Sequence, residues 1–141
     1  MNFSALTIMA CALFISISIA ISGDSKKDWD IADEQSKAGQ FMNYAYAFDE
    51  YKNANKSATG DVTANLLLPQ WLPKNSAIKT VISNGVGYVY TPSSKGLMNE
   101  LMIWTDNSSS VGVTDATSIN TLSGVVTKPS FIGSGYIVYI R

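Results

Sequence analysis

The chain has no histidine, a single cysteine and little charge. Its 141 residues include 10 Lys and Arg and 11 Asp and Glu, which together make 15% of the chain, well below the roughly 25% usual for soluble domains. The missing histidine and second cysteine exclude His-based triads, Cys-His dyads, the usual zinc sites and intramolecular disulfides. The near-neutral balance leaves no basic surface for phosphates, so we expect no nucleic-acid partner.

The shortage of charge is concentrated at the N-terminus, because the first charged residue is Asp24. The stretch from Phe3 to Ile21 is uncharged and contains neither proline nor glycine. As a helix rising about 1.5 Å per residue it would cover nearly 30 Å, the thickness of a bilayer's hydrocarbon core. We therefore predict a single-pass transmembrane anchor over residues 1–23, in contact with lipid. Its large apolar residues are Phe3, Leu6, Ile8, Leu13, Phe14, Ile15, Ile17, Ile19 and Ile21.

Two alternatives to a retained anchor remain open. A cleaved signal peptide is compatible with the small residues Ala20 and Ser22 before Gly23, although the apolar stretch exceeds the 7–15 residues of a secretory h-region and lacks a basic start. A lipoprotein signal around Cys11 is disfavoured, because the most hydrophobic stretch follows the cysteine. Orientation is also open: the positive-inside rule counts Lys26, Lys27 and Lys37 and favours a cytoplasmic domain, whereas the Ser-, Thr- and Asn-rich composition favours an extracytoplasmic one.

Residues 24–141 are expected to form one α+β domain. Apolar residues between Trp29 and about Asn55 recur at spacings of three, four and seven, which predicts a long amphipathic helix with Asp28 or Asp30 as its N-cap. Asn84-Gly85 lies between two apolar runs and predicts a type I′ hairpin. A short helix with a serine N-cap is expected from Leu97 to Trp104, and strands are expected near Val125-Val126 and at Tyr136–Ile140. The predicted fold is an N-terminal transmembrane helix, then the long helix on a small, mainly antiparallel sheet with short helices in the loops.

Catalytic chemistry finds little support in the sequence. The acidic pairs Asp33/Glu34 and Asp49/Glu50 are adjacent on a helix, so their side chains diverge and do not form a general acid/base pair. Asp106 and Asp115 lie in polar loops without the spacing of an EF-hand. The aromatic series from Phe41 to Tyr51 has the spacing of a packed helix face. We expect no enzyme activity, no metal, no cofactor and no small-molecule substrate.

Several short motifs follow one another along nearly the whole chain: Gln40-Phe41 with Tyr44, Thr59-Gly60-Asp61-Val62, Leu66-Leu67-Leu68-Pro69 with Trp71, Gly87-Tyr88-Val89-Tyr90, Val111-Gly112-Val113 and Ile137-Val138-Tyr139-Ile140. The order of these motifs resembles that of the PilM family of plasmid-encoded thin-pilus (type IVb) systems. The chain differs from a processed type IV pilin, since no basic leader ending in glycine precedes the apolar stretch.

The resemblance implies a non-enzymatic protein of the bacterial inner membrane with a periplasmic domain. It would belong to the pilus basal body or pilin transport apparatus, bind other pilus-assembly proteins and support conjugation. The exposed-aromatic candidates for partner contact are Trp71 and Trp104. The alternative function is a periplasmic binding module for a small ligand or a cell-wall glycan, which would have an aromatic cluster open to solvent beside Asn or Asp.

Overall fold

The computed structural model describes residues 3–141, with their side chains from Asp28 onward. Two compact units are present, one ending at Asp33 and the other covering Glu34–Arg141. The helices are α1 (Phe3–Ala54) and α2 (Leu97–Trp104), with a single 3-10 turn at Thr63–Asn65. The strands are β1 (Gly60–Asp61), β2 (Lys79–Ser83), β3 (Val86–Pro92), β4 (Val111–Thr114), β5 (Ser118–Thr121), β6 (Gly124–Thr127) and β7 (Tyr136–Ile140).

The long helix is present, but it does not begin where the sequence predicts. Helix α1 is assigned from Phe3, so Gly23-Asp24 does not separate two helices and neither Asp28 nor Asp30 is an N-cap. A helix tolerates an interior glycine at a cost of about 1 kcal/mol, which is too little to force a break. The predicted end is confirmed, since α1 stops at Ala54 among the asparagines.

The transmembrane part of the predicted fold is wrong. Among the described residues no helix is both long and apolar enough to cross a bilayer. Within the part of α1 that has described side chains, the longest uncharged run is Ala38–Phe48, which spans only about 16 Å as a helix, or half a bilayer core. The residues of the predicted anchor (Phe3, Leu6, Ile8, Leu13, Phe14, Ile15, Ile17, Ile19 and Ile21) lie outside the described side chains. The described residues thus have an α+β fold, in which no helix meets the requirements of the predicted transmembrane anchor.

The domain from Glu34 to Arg141 contains a seven-stranded sheet in the order β1-β2-β3-β7-β4-β5-β6, and every pairing is antiparallel. The C-terminal strand β7 lies between β3 and β4, which explains its continuous apolar sequence. Ile137 and Val138 point to opposite faces and are both fully buried, as expected of a strand covered on both sides. The prediction of a strand at Tyr136–Ile140 is confirmed.

Each face of the sheet has its own apolar core. On one face, the side chains of α1 pack against β2, β3, β4 and β7, with Phe41 and Phe48 at the centre. On the other face, the segment between β6 and β7 supplies Ile132, which packs with Tyr88, Ile119 and Val138. The aromatic residues Phe41, Tyr44 and Phe48 are buried, so α1 carries core residues there and not an open aromatic platform.

Local predictions are partly confirmed. The β2–β3 turn has Asn84 at φ 52° and Gly85 at φ 79°, the two positive values that a type I′ turn requires. Helix α2 has the predicted bounds, but its N-cap is Gly96 and no side chain caps it. Ser94, the expected type of cap, instead donates its hydroxyl hydrogen bond to Glu34 Oε2 at 2.9 Å. Strands β1, β4 and β5 are absent from the prediction.

Candidate interaction surfaces

A loop with exposed apolar side chains lies between the 3-10 turn and β2. We call residues 66–76 the leucine–tryptophan loop. Leu66 and Leu72 are buried and anchor it in the core, whereas Leu67 is 89% exposed and Trp71 is 72% exposed. Burying a side chain of this size is worth about 1.5–3 kcal/mol, and folding leaves both without that gain. The predicted partner residue Trp71 is thus available to another molecule.

Three hydrogen bonds fasten this loop to α1. Gln40 Nε2 donates to the carbonyl oxygen of Pro73 at 2.8 Å, and Asn75 Nδ2 donates to Gln40 Oε1 at 2.7 Å. The backbone N–H of Asn75 donates to the phenol oxygen of Tyr44 at 2.9 Å. Tyr44 is itself buried, so its oxygen has a fixed position. These bonds therefore fasten the loop to α1 at Pro73 and Asn75, while its tip is exposed.

A groove of about 930 Å³ runs along the leucine–tryptophan loop. Its walls include Leu67, Leu68 and Pro69, and the charged residues around it are Asp61, Lys74 and Lys79. The carboxylate of Asp61 accepts a hydrogen bond from the N–H of Thr63 at 2.9 Å. Hydrogen bonds from Thr63 lower the pKa of Asp61, so this carboxylate is charged and already engaged. The groove thus has an apolar wall and an excess of positive charge.

The second predicted partner residue, Trp104, ends α2 beside α1. Its ring carbon Cη2 lies 3.6 Å from the position that a Cβ at Gly39 would occupy. The indole is half-exposed, and the neighbouring Ile103 is 66% exposed. Trp104 therefore packs on the surface of α1 with one side and faces solvent with the other. Sequence reasoning missed Leu67 and Ile103, because each lies in an apolar run that also contains a buried residue, Leu66 or Leu101, and no periodicity separates the exposed members from the buried ones.

Carboxylates in the domain serve as structural acceptors. Asp49 Oδ2 accepts hydrogen bonds from Arg141 Nε at 3.1 Å and from the phenol of Tyr139 at 3.4 Å. Burial, with a smaller contribution from the charge of Asp49, raises the pKa of Tyr139, so this phenol stays a neutral donor. Glu34 binds Lys37 at 3.4 Å and also accepts the hydroxyl of Ser94.

The loop carboxylate considered for calcium is also engaged locally. The two oxygens of Asp115 accept hydrogen bonds from the backbone of Thr117 and Ser118 and from Asn120 Nδ2, at 2.7–3.0 Å. The same bonds, that from Thr117 first, lower the pKa of Asp115. Asp106 lies in the turn after α2 with φ 50°. Within the described part of the chain, no three metal-ligating side chains converge.

The chain is similar to PilM proteins over most of its length. Residues 8–140 match the family model described as PilM. A crystal structure of the PilM protein of Escherichia coli B7A superposes with a TM-score of 0.63 at 19% identity, covering 79% of this chain and 94% of that one, and thus has the same fold. A PilM crystal structure from Pseudomonas aeruginosa 2192 is 25% identical with a TM-score of 0.49, covering 74% and 91%. No curated protein matches the chain.

Proposed function

Because the chain belongs to the PilM family, we propose that it is a non-enzymatic component of pilus biogenesis that docks another assembly protein on its leucine–tryptophan loop. Family membership indicates involvement in pilus biogenesis and interaction with other pilus-assembly proteins. The proposal adds the surface that makes the contact. It also assigns the protein to the basal body or pilin transport apparatus of a thin pilus that supports conjugation.

The exposure of Trp71 and Leu67 on a fixed loop is the observation that supports this surface. Binding energy in protein interfaces is concentrated in a few apolar anchors, among which tryptophan is enriched. An anchor that is already held in place loses little conformational freedom on binding. The bonds from Gln40 and Tyr44 to the loop provide this rigidity before any partner arrives.

The groove indicates the chemistry of the partner segment. Its leucine-lined wall suits an apolar side chain, and Lys74 and Lys79 outnumber Asp61 at its borders. Since complementary charge favours encounter and register, we propose that the docked segment carries an apolar anchor and at least one carboxylate. A basic segment would place like charges beside the two lysines and would bind less well.

A non-enzymatic role agrees with the state of the acidic side chains. A general acid needs a carboxyl pKa raised toward neutrality, whereas hydrogen bonds lower the pKa of both Asp61 and Asp115. The described side chains of Asp49 and Glu34 are committed to ion pairs within the fold. These groups stabilise loops and strand ends, which is a structural use of charge.

Substitution of the two exposed residues tests the proposal. Full-length protein carrying Trp71→Ala, Leu67→Ala or both would replace the wild type in cells that make the pilus. The measurements are the recovery of identified pilus-assembly proteins after cross-linking and affinity purification, the number of pili per cell and the conjugation frequency in liquid. Loss of an anchor worth about 2 kcal/mol lowers affinity roughly 30-fold, so we expect the double variant to lose the partner and the pili.

Tyr46→Ala is the matched control, because Tyr46 is an exposed aromatic residue of α1 that lines no part of the groove. It should retain wild-type partner recovery and piliation. If the Trp71/Leu67 double variant folds, as judged by circular dichroism, and still recovers its partners and assembles pili at wild-type levels, the proposed surface is wrong.

The periplasmic location of residues 24–141 and contact with the lipid bilayer stay predictions. Periplasm-specific and cytoplasm-specific reporter enzymes fused after Arg141 test the location directly. Activity of the cytoplasmic reporter alone would contradict it.

A further inference from the structure

Strand β6 leaves one edge of the sheet open. Within residues 28–141 it pairs only with β5, and all four of its residues are exposed. Val125 is 71% exposed and Val126 is 43% exposed. Between Asp115 and Lys128 the sequence contains no charged residue. Natural edge strands are usually protected by charge, proline or short length. The four residues of β6 include no charged residue and no proline, and Lys128 and Pro129 follow only after the strand has ended.

The opposite edge of the same sheet is protected. Strand β1 has only two residues, one of which is Asp61. In the neighbouring strand β2, the backbone groups of Thr80 already have hydrogen-bond partners. The N–H of Thr80 donates to Thr63 Oγ1, and its carbonyl oxygen accepts from the N–H of Val62. A further strand therefore has its natural docking position at β6.

The backbone groups that β6 offers follow from its ladder with β5. Residues opposite one another in that ladder are Ile119 with Val126 and Asn120 with Val125. The N–H of Lys128 donates to the carbonyl of Thr117, and hydrogen-bonded pairs alternate along an antiparallel ladder. Val126 and Lys128 thus bond toward β5, whereas Val125 and Thr127 direct their N–H and C=O groups away from the sheet.

We propose that β6 pairs with β6 of a second copy of this chain, antiparallel across a twofold axis at Val126. In that register each Val125 lies opposite Thr127 of the other copy and exchanges two hydrogen bonds with it, four in all. The two Val126 side chains face each other in the close, non-hydrogen-bonded pair on the axis. The two sheets then form one continuous fourteen-stranded sheet.

The sequence of β6 and its ends selects this register. Shifting the axis toward the C-terminus would place Pro129, which has no N–H, opposite Val125. Shifting it toward the N-terminus would require Ser123, which lies in the β5–β6 turn. When the twofold axis passes through Val126, Lys128 lies opposite Gly124 of the other copy. No like charges then meet, and the glycine leaves room for the long lysine side chain. Val–Thr and Val–Val pairs are favourable across strands.

One short strand buries less than the roughly 1,200 Å² of a stable interface, so this dimer forms at high local concentration, as in a pilus assembly. Disulfide trapping detects such weak contacts. In full-length protein with Cys11→Ser, we expect Val126→Cys to yield a disulfide-linked dimer under mild oxidation, because the two sulfurs meet across the axis. Val125→Cys is the matched control, since its two copies are diagonal neighbours about 7–8 Å apart, and it should cross-link at least five-fold less.

Analytical ultracentrifugation tests the same contact without an introduced cysteine, because it measures the oligomeric state at different protein concentrations. Wild-type protein should shift toward dimer as its concentration rises, and Val126→Lys, which opposes two lysines on the axis, should stay monomeric with an unchanged circular dichroism spectrum. Ile103→Lys, at an exposed apolar residue of α2 away from β6, should dimerise like the wild type.

Three results would overturn this proposal. They are equal or stronger cross-linking of Val125→Cys, dimerisation of Val126→Lys at the wild-type level, and a wild type that remains monomeric at every concentration, whether or not Val126→Lys also loses a pilus-assembly partner. A monomeric wild type combined with the loss of a partner by Val126→Lys would mean that β6 pairs with a strand of another protein. None of these outcomes depends on Trp71, so the proposal stands or fails separately from the docking function of the leucine–tryptophan loop.

Discussion

Gly87 in strand β3 should tolerate no side chain, because α1 crosses the sheet directly above it. A Cβ built at this position would lie 2.4 Å from Phe48 Cε1, 2.5 Å from Phe48 Cζ and 3.2 Å from the carbonyl oxygen of Arg141. Carbon atoms in contact prefer separations of about 3.5–4.0 Å. The Phe48 ring is fully buried, so it cannot move aside without displacing the neighbouring core.

We expect Gly87→Ala to lower the free energy of unfolding by about 2–3 kcal/mol, at the upper end of the usual cost of overpacking. For a domain of this size each kcal/mol corresponds to roughly 4–8 °C in melting temperature. The variant should therefore melt about 10–20 °C below the wild type. Thermal unfolding followed by circular dichroism, together with urea titration, measures the change.

Two further variants separate this steric effect from a general intolerance of alanine. In a Phe48→Leu background, which removes the two ring atoms nearest Gly87, the additional cost of Gly87→Ala should fall by at least half. The non-additivity measures the contact itself. If Gly87→Ala melts within 2 °C of the wild type, or costs as much in the Phe48→Leu background as in the wild type, the packing of α1 on β3 described above is wrong.

Three other substitutions have defined outcomes. Gly39→Ala should stabilise the protein by about 0.5–1 kcal/mol, because alanine suits a helix interior and its Cβ would contact Trp104 at an ordinary 3.6 Å; a lower melting temperature would contradict this. Tyr44→Phe should lower the free energy of unfolding by about 1–2 kcal/mol, because it removes the acceptor of the Asn75 N–H. The same loss should loosen the leucine–tryptophan loop, which hydrogen exchange would detect as faster exchange of the loop amides. Folding lowers the pKa of Asp115. Its hydrogen bonds therefore stabilise the folded protein at a pH above 3.8, the ordinary pKa of the group, and this stabilisation is lost as the pH falls through the pKa of the folded state. Asp115→Ala should thus lower the melting temperature at about pH 6 and lower it less at about pH 2.5.

The sequence was informative where one local signal decides the structure. Asn84-Gly85 can adopt two positive φ angles at little cost, so the hairpin could be located without knowledge of its neighbours. The apolar spacing from Ala38 to Phe48 identified the buried face of α1 for the same reason. Strand β5 could not be found in this way, because its only large apolar residue, Ile119, lies among Ser, Asn and Thr. Its place depends on pairing with β4 and β6, which are contacts between distant segments.

Local sequence patterns also could not predict which apolar side chains are exposed at the surface. Leu66, Leu67 and Leu68 have the same chemistry, yet the first is buried and the second is almost fully exposed. Leu66 has an extended backbone, in which successive side chains point to opposite sides, and which of the two sides faces the core depends on how the loop lies on the domain. The serine predicted to cap α2 illustrates the same limit, since Glu34 competes for Ser94 from α1.

The motifs that resemble the PilM family divide into those that packing explains and those that it does not. Gln40 and Tyr44 hold the leucine–tryptophan loop, and Gly87 makes room for Phe48. Gly112 is equally constrained, because a Cβ there would lie 2.6 Å from the carbonyl oxygen of Asn120.

Leu67 and Trp71 are the exceptions among the motif residues. Both are exposed, and the packing of the described domain does not use either side chain. The fold does not need their apolar surface, which costs solubility when left in water. A function that requires this surface to be covered by another protein accounts for both residues, and the proposed docking contact is therefore placed there.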